Sequence, residues 1–428
     1  MRRWTMMTTR AGSRSARART IHPTLSAGPD LVVLLLCIMG LLTAERVYAQ
    51  APETAQDYTF GQTAIFTLKL PADVTVERAT FYLQVNGTAT TGIDTDVIQG
   101  HAEITRNLVS EPLPPYAHLT TWWSYDGDTG SAVETTVVET EKISFQYIDN
   151  RYAWQSAEGD GLVVHWVTGE RSLMVQAVDV AEMALQRFRE ALGTEPVRDT
   201  DIYIYPSQPD LASAMQLAGF DWAGGVAYPE LGVVLVAIPP TVEAPVVMQQ
   251  DIPHELTHRA LHDWLGSQGY AALPTWLNEG LAMAFERRPD PLRAVVIEEA
   301  HQAGTLIPLT ELCQPFPDDP QRAELAYAQS ERVVAYLRQT YGWSGLRRLI
   351  LAYADGKACN AGLQEGVGQD LGAVDRAWRS SVEQEQQPPE NGAMRAEATL
   401  LWRDSSPWLV VLAALLLPGV ALVAPRRR

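Results

Sequence analysis

Two histidines and a glutamate in the segment HELTH, which runs from His254 to His258, have the types and spacing of a metal centre. Residues four apart on a helix share a face, so His254 and His258 can bind one ion. Glu255 would then point toward the attacking water rather than toward the metal. The chemistry predicted by these three residues is hydrolysis with Zn²⁺ as cofactor and a carboxylate as general base.

A catalytic zinc site needs a third protein ligand and one open position. Glu279 is the best candidate, because it lies 21 residues past His258 in a helix-like segment, Asn278-Glu279-Gly280-Leu281-Ala282. We therefore predict that two neighbouring helices supply the metal ligands.

Two other ligand sets fit less well. His262 is eight residues past His254, about 12 Å along a helix, so one tetrahedral ion cannot easily take both of them with His258. We expect His262 to be packed or to support the ligands. The longer pattern HExxHxxGxxH is excluded because Leu261 and Trp264 replace its Gly and His.

HELTH with a downstream Asn-Glu resembles the gluzincin metallopeptidases, the superfamily of thermolysin and the M1 aminopeptidases. The segment from Trp276 to Ala282 resembles the bacterial M1-like "peptidase MA" family, and the resemblance covers about residues 150 to 385. It implies a zinc peptidase acting on peptide or protein substrates, with His254, His258 and Glu279 as ligands and Glu255 as base.

The chain departs from this family in two ways. No Gly-x-Met-Glu-Asn segment, which holds the substrate's free amine in M1 enzymes, precedes the predicted zinc helix. This absence leans toward endopeptidase action. Met283 replaces the thermolysin-like Asp four residues past the third ligand, so one ligand histidine lacks an identified partner. Asn278 is the candidate to orient a ligand histidine.

M1-like enzymes use a tyrosine after the third ligand to hydrogen-bond the oxyanion. The resemblance makes Tyr327 the candidate here, with His301 as a weaker alternative. A plain buried tyrosine is the other interpretation of Tyr327.

Composition restricts the partners of the chain. The 428 residues are 46% hydrophobic and carry a formal net charge of −18. This acidity argues against nucleic acid and anionic membrane surfaces as partners. No feature of the sequence specifies an oligomeric state.

Both ends of the chain carry apolar runs. An Arg-rich stretch, the run Leu31–Ala44 and the small residues before position 50 predict a signal peptide over residues 1–49. A spacer over 386–405 leads to a predicted transmembrane helix at 406–425, and the basic tail 426–428 places the bulk of the chain outside the cytoplasm. A sorting signal that is removed after export remains the alternative.

We predict an α+β protein with two domains between these ends. Residues 57–148 alternate in polarity, which favours an immunoglobulin-like β-sandwich over residues 50–150. Residues 151–385 form the predicted gluzincin domain, with a sheet, a zinc helix and a helical C-terminal subdomain. The predicted sandwich strands include Thr63–Leu70, Ala79–Val85, Val97–Arg106 and Lys142–Tyr147.

Helical periodicity covers Ser172–Leu192, and Asp201–Tyr205 is a predicted strand. Gly224–Tyr228 and Gly232–Ile238 resemble a hairpin in a mostly antiparallel sheet. The resemblance implies that an edge strand receives the substrate by strand addition. The apolar run 232–238 fits a core strand equally well, and Gly225–Tyr228 is the better edge candidate.

Pro253 leaves two possibilities for the predicted zinc helix. One helix from Glu243 to Leu265 would bend at Pro253, or a fresh helix would start with Asp251 as its cap. Pro274 opens the next helix. The later helices are predicted at Ala323–Thr340, Gly345–Ala354 and Leu371–Gln384.

Cys313 and Cys359 are the two cysteines outside the export segment, and we expect them to pair in an oxidising compartment.

Two rival functions belong to other classes. A catalytically silent surface-binding module on the same fold is one, although a retained Glu255 argues against it. An amidohydrolase that cleaves cell-wall peptides is the other, because zinc chemistry on amides is shared.

Overall fold

A computed structural model describes residues 51–88, 90–128, 135–215 and 224–386. The predicted signal peptide, transmembrane helix and basic tail lie outside the described residues, as does all but the first residue of the predicted spacer. Of the helices within the described ranges, none combines the length and apolar composition that a bilayer crossing requires.

The N-terminal region is a sandwich of two antiparallel sheets, and the alternating polarity of its strands accounts for the buried inner faces. Its strands are β1 (Glu53–Thr59), β2 (Thr63–Lys69), β3 (Arg78–Val85), β4 (Thr90–Asp96), β5 (His101–Asn107), β6 (His118–Asp128), β7 (Thr135–Glu139) and β8 (Ile143–Gln146). One sheet has the order β1-β2-β5, the other β4-β3-β6-β7, and β8 also pairs with β6. Phe66 and Phe81 stack between the sheets with centroids 4.5 Å apart.

The fourth strand pairs with the third, and the sandwich differs from the sequence-based expectation in one detail. The predicted strand Val97–Arg106 was wrong at its start, because Gln99 and Gly100 form a tight turn. Both have positive φ, 53° and 76°, as a two-residue hairpin turn of type I′ requires. The strand begins only at His101.

A third sheet, outside the sandwich, carries the chain toward the predicted metal centre. Its strands are β9 (Gln155–Gly159), β10 (Leu162–Trp166), β11 (Thr200–Tyr205), β12 (Gly225–Tyr228) and β13 (Val233–Ala237), in the order β12-β13-β11-β10-β9. The expectation of a mostly antiparallel sheet was wrong: β10, β11 and β13 run parallel. Helices α1 (Arg171–Leu192) and α2 (Gln208–Met215) lie in the connections between them, as parallel pairing requires.

The two strands of the predicted hairpin have different roles. All five residues of β13 are buried, so it is a core strand. The outer strand β12 pairs antiparallel with β13 and has no neighbour on its other side among the described residues. The choice of Gly225–Tyr228 as the edge strand is therefore confirmed.

This sheet lies between the sandwich and the helices. On one face, Tyr205 meets the sandwich, where its hydroxyl lies 2.7 Å from the hydroxyl of Tyr116. On the other face, Ile202 and Val234 pack with Met248 and Leu256 of the next helix. The predicted zinc helix is thus packed on the buried face of the sheet.

That helix, α3 (Ala244–Ala271), runs through Pro253 and breaks at Gly266, where φ is 69° and ψ is 168°. One helix does run through Pro253, as in the first predicted arrangement, and Asp251 does not cap a new helix. The departure from helical geometry is at Gly266, however, and not at the predicted bend at Pro253. Helix α4 (Thr275–Phe285) follows, with Pro274 at its N-cap as predicted.

The C-terminal part is helical, as the sequence indicates. Its helices are α5 (Leu292–Ala303), α6 (Leu309–Leu312), α7 (Pro320–Ala354), α8 (Cys359–Val367) and α9 (Leu371–Gln386). Helix α7 combines two predicted helices and departs from helical geometry at Gly342, while α5 and α8 were not predicted. A disulfide joins Cys313 and Cys359, whose Cα atoms are 6.2 Å apart, so the expected pairing is confirmed.

Candidate active site

Helices α3 and α4 bring the three predicted ligands together. The Nε2 atoms of His254 and His258 lie 3.5 and 3.8 Å from Oε2 of Glu279. The three ligand atoms all lie within 4.8 Å of one another, and they form a group with metal-binding potential. Donors about 2.1 Å from a tetrahedral zinc ion would be about 3.4 Å apart. The observed spacing and the two-nitrogen, one-oxygen donor set therefore fit zinc.

On both histidines, the ring nitrogen that faces away from this centre has a hydrogen-bond partner. Nδ1 of His254 lies 3.1 Å from Oε1 of Glu286, and Nδ1 of His258 lies 3.0 Å from Oδ1 of Asn278. Each Nδ1–H therefore donates, and each Nε2 lone pair is left for a metal. The Asn278 contact is the one that the sequence predicts.

Glu286 is a residue that sequence reasoning missed. It follows the last turn of α4, seven residues after Glu279, which places both on one side of the helix. Two nitrogens of Arg293, each 2.8 Å away, donate to its carboxylate. Arg293 also lies 3.3 Å from Glu331. A search for a carboxylate seven rather than four residues past the third ligand would have found Glu286.

Pro253 helps to place Glu286. A proline within a helix has no N–H, so the carbonyl four residues earlier loses its usual donor. That carbonyl belongs to Gln249, and it accepts the backbone N–H of Arg287 at 2.8 Å. The chain just past Glu286 is thereby tied to the helix that carries His254.

The charge on His254 depends on these carboxylates. Burial by itself would lower the pKa of His254, but Glu279 and Glu286 outweigh it and raise the pKa well above its usual value. Burial lowers the pKa of His258, against the opposing effect of Glu279. In the metal-free site, a proton on His254 therefore supplies part of the positive charge that a bound cation would bring.

Glu255 lies beside the ligands and is only 7% exposed. Burial raises its pKa to about 8, although nearby His254 lowers it. Gly225 of the edge strand lies against it, and a Cβ at this position would be 2.8 Å from Cγ of Glu255. The carboxylate is thus covered by β12 and suited to take up a proton near neutral pH.

A cleft of about 870 Å³ opens onto the ligands and Glu255. Tyr327, from α7, lines the same cleft, whereas His301 is not among the lining residues. Burial, with the charges of Glu279 and Glu255, raises the pKa of Tyr327. Its hydroxyl therefore keeps its proton at neutral pH and can donate a hydrogen bond.

Tyr270 is a second tyrosine of the cleft, and it was not predicted. Its hydroxyl lies 3.2 Å from Nδ2 of Asn278, so it continues the hydrogen-bond chain that starts at His258. Burial raises the pKa of Tyr270 to about 12. Tyr270 therefore acts on the site through Asn278, which it helps to orient.

A close helix contact sets the position of Glu279 relative to Tyr327. A Cβ at Gly280 would lie 2.6 Å from the backbone oxygen of Ser330 on α7. Only glycine allows this approach, so α4 and α7 pack directly against each other at the level of the site.

Two further residues, His262 and Asp251, are not part of the ligand group. His262 lies 3.1 Å from the hydroxyl of Ser267 and is outside the ligand group, as expected. Asp251 lines the cleft. Burial raises its pKa to about 6, with His254 and Arg293 opposing the rise and Glu286 adding to it.

Comparisons with known proteins agree with the predicted family. Residues 180–384 match a family model described as the Peptidase MA superfamily. No curated protein matches the chain significantly.

Two solved structures are similar at low sequence identity. A two-domain M1 zinc metallopeptidase bound to L-arginine is 11% identical, with 77% of this chain and 93% of that chain covered and a TM-score of 0.32. An aminopeptidase N family protein from Idiomarina loihiensis is 8% identical, with 77% and 75% covered and a TM-score of 0.36.

Proposed function

Since the chain belongs through residues 180–384 to the gluzincin proteins of the Peptidase MA superfamily, we propose that it is a zinc-dependent peptidase. The observation that carries this proposal is the convergence of His254, His258 and Glu279 in a cleft that also holds Glu255. A ligand set with a buried base beside it is what zinc-assisted amide hydrolysis needs.

His254, His258 and Glu279 would hold the ion, each through the atom that faces the other two. The chemistry supplied by a bound zinc ion would be polarisation of the scissile carbonyl and acidification of the attacking water. The protein's own contribution is to fix both imidazoles by Glu286 and Asn278, so that little reorganisation is needed.

Glu255 would act as general base and then as general acid. It accepts a proton from the attacking water and delivers it to the leaving amine. A pKa of about 8 in the metal-free site reflects its burial. A neighbouring divalent cation would lower this value and keep the carboxylate ready to accept the proton.

Tyr327 would donate a hydrogen bond to the oxyanion that forms when the carbonyl is attacked. Its position in the cleft and its raised pKa support this role. Loss of one such donor typically raises the barrier by about 3 kcal/mol.

We also propose that the protein works outside the cytoplasm, held by a helix over residues 406–425 after export through residues 1–49. The support for this comes from the apolar runs with their flanking charges. The disulfide between Cys313 and Cys359 fits an oxidising compartment.

The proposed function is tested by metal analysis and peptide digestion with the purified protein. We expect one zinc per chain, hydrolysis of a peptide library and loss of hydrolysis with a chelator. Glu255→Gln should keep the zinc and lose turnover, whereas Glu279→Ala should lose zinc. A Glu255→Gln protein with undiminished peptidase activity would contradict the mechanism.

A further inference from the structure

The cleft is strongly acidic beyond the groups that the proposed chemistry uses. Besides the ligands and Glu255, its lining includes four carboxylates, Asp251, Glu286, Asp290 and Glu324, and one guanidinium, Arg293. Arg293 does not offset this charge freely, because it is held by Glu286 and Glu331. A substrate therefore enters an environment with excess negative charge.

Asp251 differs from the other three carboxylates of the lining. Glu286 is paired with Arg293, Asp290 accepts the backbone N–H of Leu292 at 2.9 Å, and Glu324 is exposed to solvent. Asp251 is partly buried, and within the described ranges no side chain or backbone group hydrogen-bonds to it or forms an ion pair with it. Of the four carboxylates it alone is partly shielded from solvent and has no hydrogen-bond or ion-pair partner in the described part of the chain, although the charges of His254 and Arg293 favour its ionised form.

The position of Asp251 places it close to the reacting atoms. It precedes Glu255 by four residues on α3, so the two side chains occupy the same face, with Cβ atoms about 5–6 Å apart. The start of the edge strand lies over both. A Cβ at Gly224 would be 2.8 Å from Oδ2 of Asp251, as one at Gly225 would be from Cγ of Glu255.

A partly desolvated carboxylate without a partner gains most from an ammonium or guanidinium group, because a charge-assisted hydrogen bond replaces lost solvation. Asp251 lies one helical turn from Glu255. A substrate whose scissile bond faces Glu255 can therefore present such a group to Asp251 from the residue next to that bond. Two sources share this chemistry: the free α-amine of a peptide, and the side chain of Lys or Arg.

We propose that Asp251 is a specificity-determining residue that binds a positively charged group of the substrate within about one residue of the scissile bond. This inference rests on the proposed peptidase function and assigns the substrate class of that site. The cationic group anchors at Asp251 while the adjacent carbonyl faces Glu255 and the metal ligands.

Hydrolysis of three matched peptides by the zinc-loaded full chain tests the inference. The first has a free amine and neutral side chains, the second has a blocked amine and one Arg beside the scissile bond, and the third is blocked and neutral. We expect kcat/KM for the first or the second to exceed that for the third about tenfold. The preferred peptide identifies the source of the cation.

The substitution Asp251→Asn should reduce this preference to within about twofold, and Asp251→Lys should turn it toward a peptide with Glu in place of Arg. Asp263→Asn is the matched control, since Asp263 is on the same helix but pairs with Arg259 away from the cleft. It should keep the full preference. An equal preference in the parent and in Asp251→Asn would overturn the assignment, as would no preference in the parent.

Binding to the Glu255→Gln protein, measured by calorimetry with the same peptides, gives a readout that does not need turnover. The cationic peptide should bind about tenfold more tightly than the neutral one, and the added Asp251→Asn substitution should remove the difference. Absence of hydrolysis with a retained, Asp251-dependent binding preference would sink the peptidase proposal but support the cation site. Hydrolysis without any such preference would support the peptidase proposal and overturn the cation site.

Discussion

The backbone carbonyl of Gln249 accepts the N–H of Arg287 at 2.8 Å, which ties the end of α4 to the middle of α3. The carbonyl is available because Pro253, four residues later, has no N–H to offer it. The residue before Arg287 is Glu286, the partner of His254. A proline inside the helix thus helps to hold the carboxylate that orients a metal ligand.

Replacing Pro253 tests this relationship. Pro253→Ala would restore an N–H that competes with Arg287 for the carbonyl of Gln249, so Glu286 would be held less firmly. We expect zinc affinity to fall about tenfold, as for other groups that orient ligands. The free energy of unfolding of the metal-free protein should not fall, because proline is unfavourable within a helix.

Zinc affinity is measured by competition with a fluorescent chelator, and unfolding by denaturant titration. Pro245→Ala is the control, because Pro245 lies in the first turn of α3, where no carbonyl is freed. Equal zinc affinity in Pro253→Ala and the parent would refute the role of this contact.

Glu286 should matter for metal binding through its charge. Glu286→Gln keeps the shape of the side chain but weakens its hydrogen bond with His254 and its ion pair with Arg293. We expect a loss of zinc affinity of about tenfold to a hundredfold. Glu311→Gln, at an exposed pair with Arg322, should leave the affinity unchanged in the same titration.

Zinc binding should release protons near neutral pH. The carboxylates around His254 raise its pKa in the metal-free site, so a bound proton must leave when the nitrogen takes the ion. Calorimetric titrations in two buffers with different ionisation enthalpies should give different observed enthalpies, and zinc affinity should weaken as the pH falls. Identical enthalpies in the two buffers would exclude this exchange.

Asp251 should make the metal-free protein less stable as the pH rises. Its pKa is about 6 in the folded chain, against an ordinary value of 3.8, so the folded state keeps its proton longer than the unfolded state does. Its contribution to the free energy of unfolding therefore declines between about pH 4 and pH 6 and stays low above that range.

The comparison of Asp251→Asn with the parent isolates this effect. The variant should lack that decline and should be the more stable protein above pH 6. The surrounding charges, His254, Glu286 and Arg293, are the same in both proteins. Parallel stability curves, measured by urea unfolding from pH 4 to pH 8, would show that Asp251 titrates normally.

Gly280 should tolerate no side chain. A Cβ there would lie 2.6 Å from both the oxygen of Ser330 and a methyl group of Val334. Since the oxygen belongs to the backbone of a long helix, Gly280→Ala should cost about 1–3 kcal/mol or more in the free energy of unfolding. Gly372→Ala meets nothing closer than 3.3 Å in α9, so thermal unfolding should show it neutral or slightly stabilising.

Tyr327→Phe should separate catalysis from metal binding. Removing the proposed oxyanion donor should lower kcat/KM about a hundredfold, corresponding to about 3 kcal/mol, with zinc content unchanged. Tyr336→Phe on the same helix is the control, because Tyr336 does not line the cleft. A Tyr327→Phe protein of normal activity would leave Tyr327 as a packing residue.

The chemistry near His254 could be predicted from sequence because it depends on local spacing. Four residues on a helix bring two imidazoles to one face, and the Asn-Glu pair after Pro274 lies in a second helix with its own start signal. The orientation of His258 by Asn278 was predictable for the same reason. The alternation of polarity similarly predicted the two-sheet sandwich.

Other features depend on contacts between distant segments. The parallel centre of the third sheet follows from crossover connections, and no single strand's composition reports its direction. The short helices α5 and α8 have weak sequence signals and are held by packing.

The sequence by itself determined which atoms can bind a metal and which carboxylate can act as base, since helix geometry translates spacing into proximity. Only the tertiary structure decided that Glu286 orients His254, that Tyr327 lines the same cleft and that no group in the described ranges hydrogen-bonds to Asp251. Those relationships are set by how α3, α4 and α7 pack. Packing depends on side-chain volume and close approach, as at Gly280, which no local pattern records.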